Sequence, residues 1–206
     1  VKADLKKTDF KTTLPSYAAR HGSFDIIDIP PMRYLAADAE GSPDGESFAG
    51  ALAALFPLAY ALKFASKRGR DYVVPPLEAL WWADDPAAFT TAYDKSAWHS
   101  TALILLPEWI TDADVEVARE AVAGKVPTEG LARVRVQVIE EGRCAQTLHV
   151  GPFSEEGPVI QELHATLENA GLALAGKHHE IYLSDFRRVA PAKLRTIVRQ
   201  PGHVRG

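Results

Sequence analysis

The stretch His179-Glu180-Ile181-Tyr182-Leu183-Ser184-Asp185, set beside Pro76-Leu77-Glu78-Ala79-Leu80-Trp81-Trp82, decides how this chain folds. Each is short, rich in β-branched or aromatic residues and bounded by turn-forming residues, the signature of a strand. Each also carries one glutamate, Glu78 and Glu180, within an otherwise apolar run. Side chains alternate faces along a strand. Glu180, Tyr182 and Ser184 therefore share one face and Ile181 and Leu183 the other; Glu78, Leu80 and Trp82 share one face and Ala79 and Trp81 the other.

Working outward, the same elements precede both strands. Residues 32–39 read as a strand, and Gly41-Ser42-Pro43-Asp44-Gly45 as a dense turn. From Glu46 the period lengthens: Phe48, Leu52, Leu55, Phe56, Ala59 and Leu62 recur at helical steps, with Ser47 as N-cap and Lys67-Arg68-Gly69 as stop. Pro57 inside that helix predicts a kink or break. A polar, irregular stretch over 84–96 precedes a strand at 101–106. Thr111-Asp112-Ala113-Asp114 opens a helix as a capping box. Val134, Val136 and Val138 alternate with polar neighbours as a half-buried strand. Residues 145–150 form the next strand, ended by Gly151-Pro152-Phe153, and Ile160, Leu163 and Leu167 mark a helix over 155–170. A final strand covers 194–199.

The two halves share one plan. The expectation is a single α+β domain, a pseudo-twofold duplication of a β-α-β-β unit with antiparallel sheets. Its parts are an N-terminal extension over 1–30, a first half over 31–110, a helix and linker over 111–132 and a second half over 133–206. The extension is basic, with Lys2, Lys6, Lys7, Lys11 and Arg20, and is expected to lie along the surface. If helices pack on Ala79, Trp81, Ile181 and Leu183, then Glu78, Trp82, Glu180 and Tyr182 meet across one groove on the opposite face. Carboxylates between aromatic walls bind flat or cationic organic molecules by stacking, cation–π contact and charge. A carboxylate against aromatic surface is also desolvated, which raises its pKa toward general acid or base work. Trp98, Trp109, His149 and Phe153 are further candidates for the lining.

Composition narrows the classes. The 206 residues are 47% hydrophobic and 24% charged, enough to bury a sizeable core. The net charge of −4 supplies no field for nucleic acid or anionic lipid. The single cysteine, Cys144, excludes an internal disulfide framework and fits a reducing, cytoplasmic setting. The apolar segment over 49–65 is interrupted by Lys63 and Pro57, so no membrane span is expected. There is no Gly-x-Ser-x-Gly elbow, P-loop, dinucleotide fingerprint or His-Glu-x-x-His, so no cofactor is expected. His178 and His179 stand next to Glu180, but adjacent strand residues face opposite ways, which disfavours a metal site. The expected partner is a small molecule, bound by a monomer or homodimer.

The tail from Glu180-Ile181-Tyr182-Leu183-Ser184-Asp185 through Ala190-Pro191 to Gln200-Pro201 resembles the C-terminal signature of the GyrI-like small-molecule-binding family. Residues 24–35, with Gly41 and Pro43, and Pro76-Leu77-Glu78-Ala79-Leu80-Trp81-Trp82 resemble a stand-alone branch of it. Phe186 departs from the pattern, where a proline is common. The resemblance implies a duplicated β-α-β-β fold with an acidic residue at the floor of a ligand groove. In transcription regulators the module is fused to a DNA-binding domain, and no helix-turn-helix is visible here. Some stand-alone members are similar to cyclopropanoid hydrolases, which open the strained ring of DNA-alkylating natural products with water. By that resemblance Glu180 positions or deprotonates water, Tyr182 and Trp82 hold the ligand, and Glu78 is a second carboxylate. A non-catalytic binding or sensing module, and a protein-interaction module as the family's name suggests, are the alternatives.

Overall fold

The computed structural model describes residues 7–67, 69–85 and 94–204; Lys2, Lys6 and Arg68, and most of the polar stretch expected over 84–96, lie outside them. Among the described residues five α-helices and nine strands follow in the order α1 (Phe10–Thr13), β1 (Asp25–Ile29), β2 (Met32–Glu40), α2 (Glu46–Ser66), β3 (Leu77–Ala83), β4 (Trp98–Leu105), α3 (Asp112–Val122), α4 (Thr128–Arg133), β5 (Arg135–Ile139), β6 (Gly142–Val150), α5 (Glu156–Asn169), β7 (Leu172–Leu174), β8 (His178–Tyr182) and β9 (Arg195–Val204). The strands form one antiparallel sheet in the order β1-β6-β9-β8-β3-β4-β2-β5, with β7 added on β9.

That order carries the duplication. β2-α2-β3-β4 and β6-α5-β8-β9 are the same unit, and the units join through β3 and β8 at the centre of the sheet. The preceding strands are exchanged: β1 pairs with β6 of the second unit, and β5 pairs with β2 of the first. The α+β class and the duplicated antiparallel arrangement are as the sequence predicts.

Directly paired residues of an antiparallel ladder share a face. Tracing the pairings from Leu35–Ile104 and Ala79–Ala102 through Ala79–Glu180 and Glu180–Val198 to Ala145–Gln200 defines one continuous face. Both long helices lie on it. α2 buries Phe48, Ala51, Leu55, Leu58 and Leu62 against Leu35, Ala37, Ala102 and Ile104. α5 buries Leu163 and Leu167 against Ala145 and Val198. α2 sits over β2 and β4 and α5 over β6 and β9, which leaves the central pair β3–β8 between them.

The opposite face is covered by the N-terminal segment. Tyr17, with Leu14 and Phe10 beside it, packs on Tyr34, Leu80, Leu103, Ile181 and Ile197. Two local expectations change. α2 runs unbroken through Pro57, because the missing amide is a single bond in a helix anchored on both sides of the proline by buried Ala54, Leu55, Leu58 and Ala59. By length and mean hydropathy (21 residues, 1.6) α2 also meets the measure of a membrane-crossing helix, contrary to the expectation from Lys63 and Pro57. Lys63 is satisfied by Asp71 at 2.6 Å, and the buried stripe of the helix packs on the sheet.

Candidate functional site

Between α2 and α5 the helix-bearing face of the sheet is formed by the central strands, and this strip is the floor of the candidate groove. From β8 it receives His178, Glu180 and Tyr182, and from β3 Leu77, Ala79 and Trp81, since Leu77 pairs with Tyr182, Ala79 with Glu180 and Trp81 with His178. Tyr182 donates its O–H to Glu180 Oε2 at 2.7 Å and accepts the indole N–H of Trp81 at 3.0 Å. Burial first, then the charge of Glu180, holds the Tyr182 phenol well above its ordinary pKa, so it stays a neutral donor. His178 Nε2 lies 3.5 Å from the other oxygen of Glu180. Phe153 meets Tyr182 edge-on at 5.7 Å, Phe186 does the same at 5.7 Å, and the two phenylalanines are 6.2 Å apart. These rings form an aromatic wall at one end of the groove. Arg187, beside Phe186, reaches over Phe56 of α2, so the loop after β8 touches the helix across the groove.

A second carboxyl group enters from above. Along α5 the positions Glu156, Ile160, Leu163 and Leu167 form one helical stripe, and it faces the sheet. Glu156 is only 4% exposed, and its Oε1 has no hydrogen-bond partner among the described residues. Burial, and then the charge of Glu180, push its pKa up to about 10. Two neighbouring carboxylates cannot both ionise cheaply in a site poor in water. Burial therefore drives Glu156 toward its neutral form. The sequence reading missed it, although stepping back four residues from Ile160 along the stripe lands on a charged side chain in a core-facing position.

The expected site residues divide. Glu180, Tyr182 and Phe153 come together here. Trp98 is on the same face, edge-on to Trp81 at 6.0 Å. His149 lies in the same cross-strand row as Tyr182, with Thr196 between them. It is 5% exposed, and its Nε2 is 3.1 Å from the carbonyl of Pro152, so it anchors the turn that carries Phe153.

Glu78 and Trp82 do not join them. Glu78 pairs with Ile181, which puts it on the opposite face and fully buried. There Tyr17 and Tyr34 donate their hydroxyls to it, and His179 Nε2 approaches to 3.0 Å. Burial alone would lower the His179 pKa, but Glu141 at 2.8 Å and then Glu78 raise it to about 9. Arg199 completes the cluster at 2.7 Å from Glu141, so two carboxylates face two cations beneath the N-terminal segment. Glu78 is a structural group. Trp82 stacks on His99 at 5.6 Å on that same face, with Lys177 over its ring. Trp109 is stacked on Phe10 at 6.0 Å and bonded to Ser66, where it lines a hollow of about 290 Å³. The expected site residues are therefore divided between the two faces of the sheet, Glu180 and Tyr182 on the helix-bearing face and Glu78 and Trp82 on the other.

The profile of the GyrI-like small molecule binding domain matches residues 23–201. The chain belongs to the GyrI-like family. Among solved structures, an uncharacterized conserved protein from Listeria innocua shares 37% identity and superposes with a TM-score of 0.87, over 96% of this chain and 100% of that one. A hydrolase from Listeria innocua, also at 37% identity and the same coverage, gives 0.82. The EcmrR C-terminal domain, at 13% identity, gives 0.56 over 89% of this chain and 98% of that domain, a likeness of fold. No curated protein matches the GyrI-like chain in sequence.

Proposed function

We propose that this GyrI-like protein binds bulky aromatic small molecules in the groove between α2 and α5, and adds water to cyclopropane-bearing, DNA-alkylating members of that class. The observation that carries the reading is Glu180. It is a carboxylate on the floor of an aromatic-walled groove, oriented by the hydroxyl of Tyr182 at 2.7 Å. The 37% identity to a Listeria innocua hydrolase supports the catalytic half of it.

A spirocyclopropyl dienone would stack between Phe153, Phe186 and the Trp81–Trp98 pair. Glu180 accepts a proton from water as the water oxygen bonds to the cyclopropane methylene. The strained carbon–carbon bond breaks, and its electron pair moves through the ring to the dienone oxygen, which becomes a phenolate on its way to phenol. Positioned general-base help of this kind is worth roughly 100- to 10,000-fold in rate.

The second reading is a binder without chemistry, a detoxifying sink or sensor. The Tyr182–Glu180 hydrogen bond favours it to this extent, that a carboxylate already engaged by a donor serves well as a fixed recognition charge. Following the dienone absorbance with wild type and with Glu180→Gln separates the two. A hydrolase gives a decay far faster than buffer that Glu180→Gln loses; a sink gives saturable tryptophan quenching with the absorbance unchanged.

A further inference from the structure

Water addition to a dienone needs a proton at two places: one leaves the water, and another must reach the oxygen that collects the electron pair. Glu180 accounts for the first. Resting on the hydrolase reading above, we infer that Glu156 is the proton donor for the second, a neutral carboxylic acid that hydrogen-bonds the carbonyl oxygen of the ligand and hands over its proton as that oxygen becomes phenolic.

The geometry points to Glu156. It opens α5 three residues after Phe153, whose ring meets Tyr182 at 5.7 Å, and its carboxyl is buried on the sheet-facing side of the helix. Its Oε1 is buried without a partner, and a buried polar atom left unpaired costs free energy unless a ligand completes it. Tyr182 has its one proton committed to Glu180. His178 Nε2 stands 3.5 Å from Glu180 Oε1 without a hydrogen bond, and both its ring nitrogens are buried without a partner among the described residues, so a His178→Gln variant serves as the competing-donor control. A neutral acid is what the chemistry requires, because an ionised carboxylate there would repel the developing phenolate. The charge of Glu180 reinforces that neutrality. The balance closes: Glu180 gains a proton, Glu156 loses one, water enters the product, and a proton passing back between the carboxyl groups or through solvent resets the pair.

The test combines infrared spectroscopy with kinetics on the full chain, using the simplest spirocyclopropyl cyclohexadienone as probe. Glu156→Gln is close to isosteric, and Glu156→Met serves if it does not fold. Wild type should show a protonated-carboxyl C=O band that Glu156→Gln lacks. Its kcat should exceed that of Glu156→Gln by about 100-fold or more. The wild-type profile should fall on the alkaline side near pH 10, a limb absent from the variant. Ring-substituted probes with more acidic product phenols should narrow the gap, which a packing role would not do. Equal kcat with the same alkaline limb, or no band lost on substitution, overturns the inference. If wild type adds no water at all, the hydrolase reading fails instead. Glu156 is then judged on the bound probe: a lowered dienone carbonyl frequency in wild type but not in Glu156→Gln sustains it as donor, and no difference overturns it.

Discussion

Glu78 and Glu180 stand on adjacent, paired strands yet point to opposite faces of the sheet, because Glu78 is paired with Ile181 and Glu180 with Ala79. The two glutamates, equivalent in the internal order of the halves, have separate tasks. Glu180 accepts from Tyr182 on the helix-bearing face, and Glu78 accepts from Tyr17 of the N-terminal segment on the other.

Substitution at the two positions should therefore fail in different ways. Glu78→Ala leaves protonated His179 beside a lost countercharge in a fully buried site, and breaking such a pair costs about 3–5 kcal/mol. Urea unfolding should show this loss, while the protein that remains folded turns over within a few-fold of wild type. Glu180→Gln should show the reverse, near-native unfolding and lost turnover.

His179 gives the opposite-face cluster a pH dependence. Its folded pKa of about 9 is above the ordinary value near 6.5. Its contribution is therefore fully present below about pH 6.5 and lost as pH rises through 9, a swing of ~3 kcal/mol. Stability measured from pH 6 to 9.5 should fall, and His179→Gln should flatten that part of the curve as well as lowering it.

Glu156 should destabilise the fold at neutral pH. A carboxyl held protonated to about pH 10 favours the folded state only below its ordinary pKa near 4, and costs progressively more as pH rises toward 10. Glu156→Gln should raise the melting temperature at pH 8 by several degrees and leave it nearly unchanged at pH 4. A site that gains stability when its acid is removed is one kept for function.

The aromatic wall should govern affinity more than stability. Phe153 is 40% exposed, so Phe153→Ala removes stacking surface without opening the core. Affinity for a flat aromatic ligand should drop about 10-fold with the melting temperature almost unchanged, corresponding to ~1.4 kcal/mol. His149→Ala, which frees the Pro152 carbonyl and loosens the turn under Phe153, should weaken binding in the same direction. Isothermal titration of both variants checks this.

The duplication was legible because each unit repeats its own turn and period signals: Gly41 to Gly45 before α2, Gly151-Pro152 before α5, and an apolar run with one glutamate after each. Which glutamate faces the groove was not, since it depends on the register between β3 and β8. A shift of one residue there exchanges every side chain between faces, and neither strand alone records it. The cover over Glu78 was equally hidden, because Tyr17 is separated from it by 61 positions and only their contact marks the opposite face as closed. Glu156 is the different case. Its helical phase with Ile160, Leu163 and Leu167 is in the sequence, and a buried acid in an apolar stripe is the kind of local inconsistency that marks functional sites.

The central claim is tested most directly by the mass of the product formed in oxygen-18 water. A spirocyclopropyl dienone incubated with wild type should gain one water carrying the label, and incubation with Glu180→Gln should return the starting compound. Labelled product at equal rates with both proteins and with buffer, or intact compound with both, would contradict the account.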